Sequence, residues 1–328
     1  MHGSGVPRQL TGEGSVMTAL RASIGTLASL GLLEIRMTEK PNVAYLLQYS
    51  PDGCKAGCAY CLQSRRLFNI KGGEYLGRIQ WPIIDLDVLA RSWRSVFSRI
   101  CFQTVVKPGF TAEALEILKK IKSFEDRLPI SVAVTPVSTA FLHELKKLGV
   151  DALGVGLDAC SREVFERWNK PYSWSTYWRF IEKAVDVFGE GNVYVHLVIG
   201  LGESMADAVN TIKKTYNVGA RVALFNYVDI YGKSNVDISY YRLIQITRLL
   251  VENGLDPEEY IDYDRRVLTG KVPLEMVQAC YTSGCPGCNR PFYNEKPSGP
   301  VYNIPSENYL KLYMNSLREE LARIGVTI

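Results

Sequence analysis

From about residue 43 to residue 253 the chain alternates short apolar runs of strand character with longer amphipathic runs. That alternation predicts repeated βα units around a parallel sheet. The pattern predicts strands over 43–49, 99–106, 129–135, 152–157, 192–199 and 221–229. Helices are predicted over 111–123, 138–148, 161–168, 175–188, 204–217 and 238–253, with the Ser138 hydroxyl as an N-cap. A further helix is expected over 18–33, before the first strand. Residues 257–305 are rich in Gly, Pro, Tyr and Cys and poorly periodic, which suggests an ordered loop region held by a metal rather than by a large core. At the end, Tyr309, Leu310, Leu312, Tyr313, Leu317 and Leu321 form the apolar stripe of a closing helix over 306–324. The expected division is an N-terminal helical segment (1–40), a βα region (41–256) and a C-terminal extension (257–328).

Composition changes this picture little. A 328-residue chain with 47% hydrophobic residues can bury a sizeable core as one large or two ordinary domains. The net charge of +4 is mild, and Lys and Arg are scattered, so no nucleic-acid partner is expected. No apolar run approaches the roughly 18 residues of a membrane span, and the N-terminus lacks a signal-peptide pattern. A cytoplasmic protein is the expectation. The three histidines, His2, His143 and His196, leave little material for imidazole-based catalysis.

The chemistry concentrates in the cysteines. Cys54, Cys58 and Cys61 lie in the run G-C-K-A-G-C-A-Y-C-L-Q-S. Thiolates are soft ligands that select iron–sulfur clusters, zinc or copper(I), and closed structural sites want four ligands. A cluster held by three cysteines keeps one iron open for a small molecule. A second set, Cys280, Cys285 and Cys288, stands in C-Y-T-S-G-C-P-G-C-N-R-P-F-Y-N-E, where Gly284 and Gly287 allow tight wrapping. It is expected to hold an auxiliary iron–sulfur cluster, most simply a second [4Fe–4S], whose fourth ligand is not evident. The two sets together also fit a zinc ribbon, although ribbons usually space their first pair C-x2-C. Cys101 and Cys160 stand alone and read as small buried hydrophobes.

The C-x3-C-x-Y-C spacing, with Tyr60 before the third cysteine, resembles the radical S-adenosylmethionine (SAM) superfamily. The resemblance implies a partial (β/α)6 barrel of TIM type. It also implies a [4Fe–4S] cluster on Cys54, Cys58 and Cys61 that chelates SAM and reduces it to a 5′-deoxyadenosyl radical. The cysteine loop follows the first predicted strand, so the cluster lands at the C-terminal face, where such barrels keep their function. Cys61-Leu62-Gln63-Ser64 is similar to the biotin synthase group. Gly200, Gly202 and Glu203 resemble the superfamily's turn that packs on the SAM adenine, and against the biotin synthase group Asp158 matches a carboxylate on the SAM ribose, though a strand-end Asp equally serves as a helix cap. Gly72-Gly73-Glu74 repeats a superfamily SAM motif in the wrong place, so Gln103 and Thr104 are the candidates for the SAM carboxylate or amine. Asn226 faces the expected substrate space.

Biotin synthase itself is disfavoured. Cys101 matches one ligand of its second cluster, but Ala133 and Tyr194 stand where other ligands would be. The C-terminal cysteines followed by R-P-F-Y-N-E look most like the two-protein lipoyl synthases. The implied activity is sulfur insertion into a protein-bound octanoyl chain, with the auxiliary cluster as sulfur donor. The implied partners are an octanoylated carrier domain, a companion radical SAM protein and an electron donor such as ferredoxin. Tyr293, Tyr302 and Tyr309 could dock a carrier or belong to the core. The alternative is a radical mutase or maturase of the same group without sulfur insertion, and outside enzymes an iron–sulfur assembly or zinc-binding module.

Overall fold

The structure, a computed structural model, describes residues 9–10, 18–70 and 73–328. Six strands run parallel in chain order: β1 (Val43–Gln48), β2 (Arg99–Gln103), β3 (Ile130–Val134), β4 (Val150–Asp158), β5 (Val193–Ile199) and β6 (Arg221–Asn226). This is the α/β partial barrel expected. Strands β2 to β6 are each followed by a helix or pair of helices on the outer face, among them Phe110–Phe124, Thr139–Lys147, Trp174–Phe188, Met205–Asn217 and Ile238–Glu252. Ser138, Ser173 and Ser204 cap three of these by accepting backbone N–H bonds, which satisfies donors a helix start leaves open.

Side chains alternate across each strand. Leu46, Phe102, Val132, Leu153, Val155, Leu197 and Leu224 pack outward into the main core under the helices. The intervening positions, Tyr45, Cys101, Ser131, Ala133, Gly154, His196 and Phe225 among them, line a cavity inside the barrel. The small residues Ser131, Ala133, Gly154 and Gly156 keep that interior open.

The helix expected over 18–33 is not what forms. Ala19–Ala22 is a strand, antiparallel to β1 with Leu20 opposite Gln48, and only Ile24–Ser29 is helical, capped by Ser23. Tertiary pairing overrides local preference here. Arg21 is buried and donates to the Trp81 carbonyl at 2.7 Å, and the strand Ile83–Asp85 pairs on its other side.

Residues 257–305 are irregular as expected, but they do have a core. Met276, Cys280, Phe292, Val301, Ile304, Tyr309, Leu317 and Leu321 pack with Leu243, Ile246 and Leu250 in a second apolar cluster. The buried Arg242 guanidinium ties this region down through Glu320 at 2.7 Å and the Val301 and Tyr302 carbonyls at 2.6 and 2.7 Å. The closing helix is Glu307–Ala322, with Ser306 accepting from the Tyr309 N–H. Tyr302 and Tyr309 are buried, so they are core residues and not a docking surface.

From this region residues 283–294 run as a strap across the open side of the barrel, from β1 to β6. The Asn42 N–H donates to Asn289 Oδ1 at 2.9 Å on the β1 side. The Leu224 N–H donates to Ser283 Oγ at 2.9 Å, and Asn294 Nδ2 to the Asn226 carbonyl at 2.7 Å, on the β6 side. The strap satisfies edge groups of β6 and walls off the cavity.

Candidate active site in the barrel interior

The interior cavity measures ≈ 280 Å³ and runs from the C-terminal ends of the strands down to Arg99 and Ser131 near their starts. Arg99 closes its floor with two bonds to Asp151 (2.6 and 2.7 Å), one to Ser131 Oγ (3.0 Å) and one to the Pro286 carbonyl (2.9 Å).

The cysteine loop forms one upper wall. It folds on its own backbone: the Cys54 N–H donates to the Gln63 carbonyl (2.7 Å), the Arg65 N–H to the Cys54 carbonyl (2.8 Å) and the Ser64 N–H to the Cys61 carbonyl (2.9 Å). Gln63 sends both amide hydrogens to the Gly73 and Tyr75 carbonyls at 2.7 Å, so it shapes the loop and does not face a ligand. Gly53 is required at its position: its φ is +75°, and a Cβ would lie 2.7 Å from the Phe68 ring. The result puts Cys54, Cys58 and Cys61 on the cavity wall. Burial, then the neighbouring Cys58 and Cys54, pushes the Cys61 thiol up to about 12. Burial likewise raises Cys54 and Cys58, with Lys170 the main opposing influence on Cys58. Three buried thiols on one wall, each resisting ionisation, make a set that a cationic metal centre would stabilise as thiolates. The donor set therefore fits an iron–sulfur cluster, with Cys54 Sγ already accepting the Val106 N–H at 3.2 Å.

Beside this loop stands Asp158, at the end of β4, with a left-handed φ of 67° that aims it into the cavity. It accepts from Tyr60 Oη and Lys170 Nζ. Nearby charge outweighs burial and holds Lys170 well above its usual range, Asp158 first among its partners. Tyr60 thus touches Asp158 and stacks edge-on against Trp168 at 5.8 Å. His196 sits deeper, where β5 shifts register against β4 between Val195 and Leu197. Burial depresses His196 to about 4, so it is a neutral imidazole. Buried polar atoms on the cavity wall without a hydrogen-bond partner include Asn226 Oδ1, Asn294 Oδ1, Thr135 Oγ1 and Arg290 Nε. Such atoms are costly unless a ligand or water satisfies them.

The expected residues thus divide. Cys54, Cys58, Cys61, Tyr60, Gln103, Thr104, Asp158, Asn226, Cys285 and Cys288 all line one cavity. Thr104 Oγ1 is taken by the Ala133 carbonyl at 3.0 Å. Gly200, Gly202 and Glu203 do not line it; Glu203 accepts the Gly200 N–H at 2.7 Å and folds back on its own turn. Gly72 lies outside the described residues. Cys280 is separated from its supposed partners: it is fully buried in the C-terminal core, beside the Met276 carbonyl and Arg242. Cys101, expected to be a simple core residue, instead lines the cavity with Cys285 and Cys288, while Cys160 is in the core. Lys170, His196 and Arg290 were not legible as site residues. His196 alone carried a signal, being the one histidine on a predicted barrel strand.

A model of the radical SAM superfamily matches residues 49–215, about half of the chain. The dual-specificity RNA methyltransferase RlmN of Campylobacter curvus (strain 525.92) is 27% identical over 60% of this chain and 57% of its own length. The same enzyme of Sulfurovum sp. (strain NBC37-1) is 33% identical over 33% of this chain and 30% of its own. The chain thus spans between a third and about half of the length of these curated relatives. Among solved structures, methylornithine synthase (PylB) superposes with a TM-score of 0.51 at 14% identity, covering 66% of this chain and 64% of that one, a likeness of fold. None of these is a lipoyl synthase, and relatives named for RNA methylation overturn the expectation that a nucleic-acid partner is excluded. With its three-cysteine loop on a six-stranded parallel barrel and a family match over half its length, the chain belongs to the radical SAM superfamily.

Proposed function

We propose that the protein is a SAM-dependent radical enzyme that modifies a substrate admitted to the barrel cavity, without inserting sulfur. One observation carries this: Cys54, Cys58 and Cys61 share one cavity with the Asp158–Lys170 pair and with unpartnered polar atoms on the opposite wall. A [4Fe–4S] cluster with SAM, when bound there, supplies the electron that cleaves SAM and the radical that attacks a C–H bond.

The chain's own residues do the rest. Asp158, Lys170 and Tyr60 form a charged, hydrogen-bonding patch beside Cys58 for the polar part of SAM, with Lys170 cationic at every working pH. Gln103 and Thr104 continue that wall. Asn226 and Asn294, across the cavity, orient the substrate through their free carbonyl oxygens. Val105, Leu47 and Phe225 exclude water around the reacting atoms.

Methyl transfer to RNA is the favoured reaction, because the curated relatives are RNA methyltransferases. An interior cavity of this size admits a single extruded base, as enzymes acting on a nucleobase require. Sulfur insertion of the lipoyl type has less support, since the curated relatives are named for methyl transfer.

The test is anaerobic incubation of iron–sulfide-reconstituted protein with SAM and dithionite, with and without RNA, followed by mass spectrometry of nucleosides and SAM products. SAM cleavage that Cys58→Ala abolishes supports the radical reading. A methylated nucleoside identifies RNA as substrate. Cleavage with unmodified RNA moves the substrate to a small molecule, as in a mutase, and no cleavage by reconstituted protein overturns the proposal.

A further inference from the structure

The floor of the cavity holds a second group of thiols that the sequence did not assemble. Cys101 projects inward from the middle of β2, where Tyr45 and Ser131 are its register neighbours on β1 and β3. The strap brings Cys285 and Cys288 against it from the open side of the barrel. Cys101 and Cys288 pack on the same small cluster around Val43, Tyr45 and Val105. Tyr45 Oη lies 3.4 Å from Cys288 Sγ and accepts the Arg290 N–H at 2.9 Å. All three thiols border the cavity, and Cys280 does not.

We infer that Cys101, Cys285 and Cys288, and not Cys280, form a second iron–sulfur site beneath the first, with its open position facing the shared cavity. Geometry supports the set. Cys101, Cys285 and Cys288 line one cavity, and Cys101 and Cys288 pack on one apolar cluster, whereas Cys280 packs in the C-terminal core. Two cations, Arg99 and Arg290, line the same cavity, which suits a thiolate-ligated cluster of net negative charge. Arg290 lies over the Phe225 ring at 3.7 Å and is anchored to the Ser283 and Leu224 carbonyls at 2.6 and 3.1 Å, yet its buried Nε has no partner. Among the described residues no three His, Cys, Asp or Glu side chains are drawn together as for a single metal ion; what unites these thiols is one cavity wall, as it unites Cys54, Cys58 and Cys61. Three soft donors with no fourth cysteine fit a cluster with an open iron better than a closed zinc site. The inference rests on the radical SAM reading only for the presence of the first cluster.

The experiment uses the full chain with Cys54, Cys58 and Cys61 all changed to Ala, reconstituted anaerobically and assayed for iron, sulfide and Mössbauer signal. The expected result is a residual cluster that survives Cys280→Ala and is lost with Cys101→Ser, Cys285→Ser or Cys288→Ser. Because a serine variant can misfold, thiol alkylation of the unsubstituted protein is read in parallel by peptide mass spectrometry. Cys101, Cys285 and Cys288 should be protected when loaded and labelled after chelation, with Cys280 unlabelled in both states. Loss of residual iron in Cys280→Ala with retention in Cys101→Ser overturns the assignment, as does bound zinc or no residual cluster at all. SAM cleavage reads the first site, so failure of the proposed function registers separately.

Discussion

His196 shows how a cavity sets the chemistry of one residue. Its imidazole is held neutral by burial, with Arg290 and Lys170 disfavouring a further positive charge against the opposing pull of Asp158. Its ordinary value of 6.5 falls to about 4 in the fold. As pH drops below 6.5 the unfolded chain takes up this proton first, so stability is lost between pH 6.5 and 4 and is unaffected above 6.5. The loss from this group is at most about 3 kcal/mol. Urea midpoints of the metal-free protein across that window should fall, and His196→Gln should flatten the slope; an unchanged slope counts against a buried neutral imidazole. Lys170 presents the opposite case, a buried cation that needs its partner. Lys170→Met leaves the Asp158 carboxylate without its cation and should cost about 3–5 kcal/mol, much of it restored in the double variant with Asp158→Asn. Equal losses in single and double variants would show that the pair is not coupled. Since the folded state holds Lys170 above 10.5, its contribution persists across neutral pH and disappears only as pH rises through the folded value.

At the scale of elements, the inner faces of the strands decide how much room the site has. On β4, a Cβ at Gly154 would lie 2.8 Å from His196 Nε2 and 3.2 Å from the Ala133 Cβ. At Gly156 the nearest contact would be the Asp158 carboxylate at 3.4 Å, an ordinary approach. Gly154→Ala should therefore destabilise by about 1–3 kcal/mol, read as a lowered Tm, while Gly156→Ala should be much milder. Equal Tm values for the two would mean that the interior relaxes freely around His196. The short apolar runs that form these strands were legible for all six, because burial on both faces of a parallel sheet leaves its mark locally. The segment 18–33 was not legible, since its strand exists only through pairing with β1 and Ile83–Asp85.

Across the whole molecule, the C-terminal region acts as a side wall of the barrel, and Arg242 is its main anchor. Its guanidinium is wholly buried and bonds Glu320, Gln245 and two carbonyls of residues 301–302. Arg242→Met strands Glu320 in the core and should cost about 3–5 kcal/mol. Limited proteolysis should then cut within residues 257–305 faster than in the unsubstituted protein. Unchanged cleavage would show that the strap is held by its bonds to β1 and β6 instead. Among the described residues no helix is long and apolar enough to cross a membrane.

The amino-acid sequence by itself determined the barrel class and the cysteine loop on its first strand. The alternation of apolar and amphipathic runs and the C-x3-C-x2-C spacing are local, each legible over a few residues. Only the tertiary structure decided which distant groups meet. Cys280, Cys285 and Cys288 are close in sequence, yet the chain turns Cys280 into the C-terminal core and delivers the other two to Cys101. Lys170 reaches Asp158, and Arg290 the cavity, in the same way. Those encounters depend on strand register and on how the strap docks, and no spacing along the chain encodes either.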